Sequence, residues 1–271
     1  MTYVITHNRD TSDCFQAMCG VLMGDPSSPT LWNIFLSTFD FIHDPNDLDL
    51  LGAVISHLKY ADDIALISCS THGLQSHLRG FKLYCHSNNL TISAGKSWVM
   101  VFGHLPSLLP ILFLGGEALS FRHSVCYVGA HLQSTHRHLL AAHFTVKRDS
   151  TFTAAGGIAG CDLLIGHQRL NPPIAKQLYP ALVDCHHING CEIAIDTNAH
   201  LLSMLKQIQL LFLCRMLGLS RCSILAPLFT VTGIMPIHTR RVILALCYLI
   251  YLLKLGPEHY TYLALQENFN L

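Results

Sequence analysis

Residues 59–63 read Lys-Tyr-Ala-Asp-Asp, and this pair of adjacent carboxylates lies between two apolar runs, Val54-Ile55-Ser56-His57-Leu58 and Ile64-Ala65-Leu66-Ile67. Both runs suit a β-strand, and Ala-Asp-Asp is a natural turn. The pattern predicts a hairpin at about 54–68 with Asp62 and Asp63 at its tip. Neighbouring carboxylates on a tight turn repel each other and call for a cation. Hard divalent ions such as Mg²⁺ take oxygen ligands of this kind, usually together with substrate phosphates.

The chain has 271 residues, enough for one large or two small domains with a sizeable core. At 51% hydrophobic and 13% charged it is apolar against an average of about 25% charged residues, which argues against wholesale disorder. Lys plus Arg equals Asp plus Glu, at 17 each. A module that binds nucleic acid unaided usually carries a basic excess, so tight binding by this chain alone is not expected. The 18 histidines add positive charge near pH 6 and make the electrostatics pH-dependent.

The 11 cysteines are scattered singly, and Met1–His7 has no basic segment leading into a long apolar run. The expectation is reduced, mostly core cysteines in an intracellular protein. The longest apolar stretch, 242–253, has 12 residues. A bilayer needs about 18, so this stretch predicts a buried helix and no membrane span.

Along the chain, Tyr3-Val4-Ile5 suits a short strand before a polar turn at 7–13. Gly20-Val-Leu-Met-Gly-Asp-Pro-Ser-Ser-Pro29 forbids regular structure until Ser28, a predicted N-cap, and Pro29, a first helical residue. That helix is expected to run to about Ile42 with Leu31, Ile34, Phe35 and Phe41 on one side. Asp44-Pro45-Asn46-Asp47 is a loop. Leu74, Leu78, Phe81 and Tyr84 predict an amphipathic helix over about 71–88. Residues 91–93 and 99–102 suit strands flanking Gly95-Lys96. Phe113-Leu114-Gly115-Gly116 and Tyr127-Val128-Gly129 suit the two arms of a further hairpin. Beyond about 132 helical patterns dominate, at 133–149, 172–183, 198–218 and 238–255, with a loop at Gly156-Gly157 and Gly160.

In this order the segments resemble the palm of a non-LTR retrotransposon reverse transcriptase. Gly20–Pro29 resembles motif B and Tyr60-Ala61-Asp62-Asp63 motif C. The helix ending at Asn88-Asn89, with Lys96 after it, resembles motif D. Leu114-Gly115-Gly116 through Tyr127-Val128-Gly129 resembles the primer-grip region. Gln177-Leu-Tyr-Pro-Ala-Leu-Val183 resembles the helix that follows it.

The resemblance implies an α+β fold: a partial polymerase palm over 1–132, followed by a helical thumb-like and C-terminal region over 133–271. It implies RNA-directed DNA polymerase ancestry and two-metal nucleotidyl transfer with Mg²⁺ or Mn²⁺, with an RNA template and DNA primer as partners in a nuclear setting. By resemblance, Asp62 is the main metal ligand and Asp63 a supporting one, and Lys96 lies near the leaving phosphates. Gly24, Asp25, Ser28, Pro29 and Tyr60 lie beside template and nucleotide. There the glycine lets backbone approach closely, and a helix N-terminus favours phosphate.

Two departures temper the expected activity. The family's motif A aspartate has no counterpart, because the 19 residues before Gly20 hold only Asp10 and Asp13 in a polar turn. The Gln usual before the motif B glycine is Met23. The isolated chain is therefore expected not to extend a primer, and the rival reading is a non-catalytic remnant or a nucleic-acid-binding module. Other features stay open. Arg137-His138…His143…Lys147-Arg148 suits either a nucleic-acid groove on a thumb helix or a solvated face. Cys185-His186-His187…Cys191 lacks the spacing that closes a zinc site, and no zinc is expected. The apolar helices at 201–217 and 242–255 are core or uncovered surface.

Overall fold

The structure is a computed structural model that describes residues 2–4, 6–8, 10–16, 20–21, 24–40, 44–103, 108–134, 138–164, 171–195, 198–220 and 226–270. The chain divides into two compact units, 1–93 with 112–118, and 94–111 with 119–271.

The first unit is built from two-stranded ladders and two helices. Thr2–Tyr3 pairs antiparallel with Phe15–Gln16, and Thr6–His7 with Asp10–Thr11. The polar turn expected at 7–13 is therefore a small hairpin. Helix α1 is Ser28–Leu36. It starts one residue earlier than predicted, with Ser27 in the cap position, and stops well short of 42; Phe41 and Ile42 lie outside the described residues. Its expected apolar side is also corrected. Leu31 and Ile34 are exposed, whereas Leu36 and Phe39 are buried. The reason is Phe39, just past the helix, which rests edge-on against Tyr84 (4.7 Å), His57 (5.1 Å) and Phe81 (5.7 Å) and so sets which side faces inward.

Leu48–Leu50 pairs with Ala53–Ile55, and His57–Tyr60 pairs with Asp63–Leu66. Helix α2, Thr71–Ser87, begins where Ser70 Oγ accepts the Gly73 amide and buries the predicted stripe around Leu78. Gln75 exchanges two hydrogen bonds of 2.9 Å with the backbone of Phe113, which anchors the Phe113–Leu114/Glu117–Ala118 hairpin on α2.

The segment 113–133 forms two hairpins instead of one. Each glycine-containing pair makes its own tight turn: Gly115-Gly116 joins Phe113–Leu114 to Glu117–Ala118, and Val128-Gly129 joins Ser124–Tyr127 to Ala130–Gln133. All four turn residues have positive φ, the requirement of a type I′ hairpin turn. The expected strand at 91–93 is absent. Ala94–Lys96 is a 3₁₀ turn, and Trp98–Val99 pairs in parallel with Ser120–Phe121.

The second unit is mainly helical. Helix α3, Ala141–Leu164, starts later than 133 because residues 130–133 are strand, and it runs through Gly156 and Gly157, where a loop was expected. Helical glycine costs about 1 kcal/mol relative to alanine. Packing overrides it, because Ile158 is buried in the main cluster with Tyr179, Val183 and Leu213. The predicted helix at 172–183 is three pieces: α4, Pro172–Leu178; a π-helical turn, Tyr179–Asp184; and α5, Cys185–Ile188. Pro180 has no N–H to donate back along the helix, and widening is a common response.

Helix α6, Ala199–Leu217, is capped by Asn198 and ended by Gly218 at φ +66°. Its residues Leu205, Phe212 and Leu213 are core. Short α7, Ala226–Thr232, leads to α8, Ile237–Leu253, and α9, Tyr260–Asn270. The expectation that 242–253 is a buried helix is corrected: one side of α8, with Val242, Ile243, Leu246 and Ile250, is exposed. Among the described residues, no helix is long and apolar enough to cross a membrane.

Candidate active site

The carboxylate turn is built by its ladder. Tyr60 is paired with Asp63, so Ala61 and Asp62 form a two-residue turn, with Asp63 opening the return strand. Ala61 takes φ +51°. Asp62 does not share the positive φ, which is the pattern of a type II′ turn, where glycine is usual at the first central position. An L-residue there carries a cost of about 1–2 kcal/mol. Tyr60, Ala61, Asp62 and Asp63 are all exposed.

Three interactions fix this strained tip. Trp32, one turn into α1, donates its indole N–H to the Ala61 carbonyl at 2.7 Å. Lys59 Nζ donates to the carbonyls of Leu36 (3.2 Å) and Phe39 (2.9 Å), covering the C-terminal end of α1. The Ile67 amide donates to Ser56 O at 2.7 Å and extends the ladder at its base. The helix that follows the motif B-like segment is thus tied at two points to the turn end of the strand His57–Tyr60.

At the start of α1, Gly24 has φ +88° with open space where a side chain would be. Asp25 Oδ1 accepts the Ser27 hydroxyl (2.6 Å) and amide (2.7 Å). These two bonds, the hydroxyl first, hold the Asp25 carboxyl below the usual carboxylate range. Ser28 and Pro29 are the first two helical residues. Met23 lies outside the described residues.

The other expected site residues belong to the second unit. Lys96 is exposed at the end of the 3₁₀ turn and belongs to the second unit. Arg137 lies outside the described residues. Lys147 and Arg148 are half-buried on α3, and the Arg148 guanidinium holds Asp149 at 2.7–2.8 Å and reaches Met204 Sδ at 3.5 Å. His143, expected beside them, is buried, with Nε2 donating to Asn189 O at 2.9 Å. Burial holds its pKa below the ordinary value, opposed by that carbonyl. Residues 138–149 therefore do not present one continuous basic face.

Sequence reasoning missed the clasp beneath the hairpin. His77 Nε2 meets Asp47 Oδ1 at 2.6 Å, with both side chains buried, and Asp47 Oδ2 accepts the Asp44 amide at 2.9 Å. Asn46 O in the same loop accepts the Cys69 amide at 2.7 Å. The loop at 44–47 thus ties α2 to the end of the hairpin. The available signal was His77 itself, a titratable residue on the inward stripe of α2.

Residues 2–134, just under half of the chain, match the family model described as Reverse transcriptase (RNA-dependent DNA polymerase). No curated protein matches the chain. The α+β architecture, small ladders with helices followed by a helical region, is consistent with a partial reverse-transcriptase palm and a helical extension. Proteins of this family generally act on nucleic acids with divalent metal ions. The donors at the turn fit such an ion: Asp62 and Asp63 offer hard carboxylate oxygens on an exposed turn.

Proposed function

We propose that this chain carries the motif B-to-primer-grip part of a non-LTR reverse transcriptase palm, an RNA-directed DNA polymerase by descent. In this reading Asp62 and Asp63 hold Mg²⁺ or Mn²⁺, and the α1 start at Gly24, Asp25, Ser28 and Pro29 lies beside template and nucleotide with Tyr60. Lys96 serves the leaving phosphates, and Lys147 and Arg148 serve the nucleic-acid backbone. When bound, the metal pair of such polymerases activates the attacking hydroxyl and neutralises the leaving pyrophosphate. The observation that carries the reading is the Trp32–Ala61 hydrogen bond. It ties the helix that follows residues 20–29 to the exposed turn that carries the two carboxylates, which is the arrangement this reading needs.

A hard cation wants about six oxygens, and one turn supplies few of them. Among the described residues, no third His, Cys, Asp or Glu gathers at the pair. We therefore propose that the chain alone binds Mg²⁺ weakly and does not extend a primer, which is also what a non-catalytic remnant would do.

Two measurements test this reading. In a Mn²⁺ titration followed by NMR, amides of residues 60–64 should broaden first, and Asp62→Ala/Asp63→Ala should abolish this. Broadening that ignores the turn would remove the metal assignment. In primer extension on an RNA template, chain and double variant should both stay at background. Extension by the parent alone would show a further carboxylate partner, with Asp13 the first suspect.

A further inference from the structure

Helix α8 carries an apolar face that the mechanism does not use. Its inner side is anchored: Ile237 and Arg241 are buried, and the Arg241 guanidinium donates to His187 O and Ala194 O above the Phe144 ring. The outer side presents Ile243, Leu246, Ile250 and Leu253, each between 43% and 53% exposed. Their spacing is three, four, three, the a/d alternation of a heptad, with isoleucine at both a positions and leucine at both d positions. That choice favours a parallel two-stranded pairing. Val242, at the g position beside the seam, is also exposed.

We propose that this face is a self-association surface, on which α8 of a second copy packs in parallel and in register. Residues 242–253 contain no charge, so two copies meet without like-charge repulsion, and a polyanion finds nothing to bind. The five exposed side chains on and beside the seam offer on the order of 500 Å² per protomer, about 1,000 Å² for two copies, which reaches the lower limit of a specific interface. A membrane surface fits less well, because interfacial helices pair their apolar face with a Lys/Arg-rich one, whereas here the opposite side of the helix is packed inside the unit.

The test uses the whole chain. Sedimentation at micromolar concentration should give twice the 30.1 kDa chain mass. Leu246→Glu and Leu246→Lys should each sediment as monomers with parental circular dichroism. Mixing them should restore a one-to-one dimer, because a parallel register sets position 246 opposite itself. Leu246→Ser serves as a milder variant should a charge disturb folding, and it too should weaken the dimer. A monomeric parent overturns the proposal, as does dimer retention in these variants or binding of a monomeric parent to phosphatidylcholine–phosphatidylserine vesicles. Monomeric variants that do not pair on mixing overturn the parallel register.

Discussion

The two units place their polar groups in opposite ways. In the first, the candidate carboxylates stand on an exposed turn, and the interactions that hold it are hydrogen bonds to backbone carbonyls. In the second, polar groups go inward. Gln209 donates to the Tyr179 hydroxyl and Met235 O at 2.9 Å and accepts the Ile237 amide at 2.8 Å. Arg240 Nε pairs with the buried Asp184 carboxylate at 2.7 Å, and His187 is fully buried beside Tyr179 at 3.4 Å. Burial raises the Tyr179 and Asp184 pKa values, with the Asp184 charge adding to the first and Arg240 opposing the second. In the helical unit the Arg240 and Arg241 contacts lock helices and loops together.

The sharpest break of this contrast lies where the first unit does bury charge. His77→Leu leaves the Asp47 carboxylate buried without its 2.6 Å partner. Removing one member of a buried pair costs about 3–5 kcal/mol. Urea unfolding should show that loss, together with faster amide exchange in residues 57–66. A loss under about 1 kcal/mol would mean that the clasp relaxes to water and that the first unit buries no essential charge.

The second prediction tests the helical unit through pH. Burial pushes the His187 pKa down from 6.5 to about 4. Between those values the unfolded chain takes up a proton that the folded ring refuses. The stabilisation is thus complete above about pH 6.5, falls as pH drops toward 4, and levels off below. The size is on the order of 3 kcal/mol. His143 is shifted the same way by burial. The raised Asp184 carboxyl works in the opposite sense, because its protonation relieves a buried charge as pH falls. Urea midpoints should decline over this window, and His187→Gln should flatten the decline. An unchanged slope in that variant would assign it to other groups.

What the sequence revealed, and what it hid, follows the range of the interactions. The hairpin at 57–66 and helix α2 were legible because strand runs, a turn tripeptide and a 3.6-residue stripe are local signals. The glycine pairs were legible as turns, but their partners were not: 113–116 and 127–129 read as one hairpin because nothing local says which strand a glycine turn returns to. The continuity of α3 through Gly156 and Gly157 was hidden because it depends on where Ile158 packs. The His77–Asp47 clasp spans 30 residues and the Trp32–Ala61 bond 29, so neither leaves a spacing motif. For the site, the carboxylates were visible by type, whereas the residues that position them were not.

The smallest expected effect is at the turn itself, and it asks whether exposure there comes with strain. Ala61 holds φ +51°, and relief of the side-chain clash is worth about 1–2 kcal/mol. Ala61→Gly supplies that relief but loosens the unfolded chain, which costs about 0.4–1 kcal/mol. The net expectation is a gain of about 0.5–1 kcal/mol in urea unfolding. The acceptor of the Trp32 bond is a backbone carbonyl, so the substitution leaves that anchor in place, and exchange at the Asp62 and Asp63 amides should slow. A loss of stability would show that the positive φ costs little at this position. The tip would then be an ordinary turn, and the outward placement of the carboxylates would rest on the Trp32 and Lys59 anchors alone.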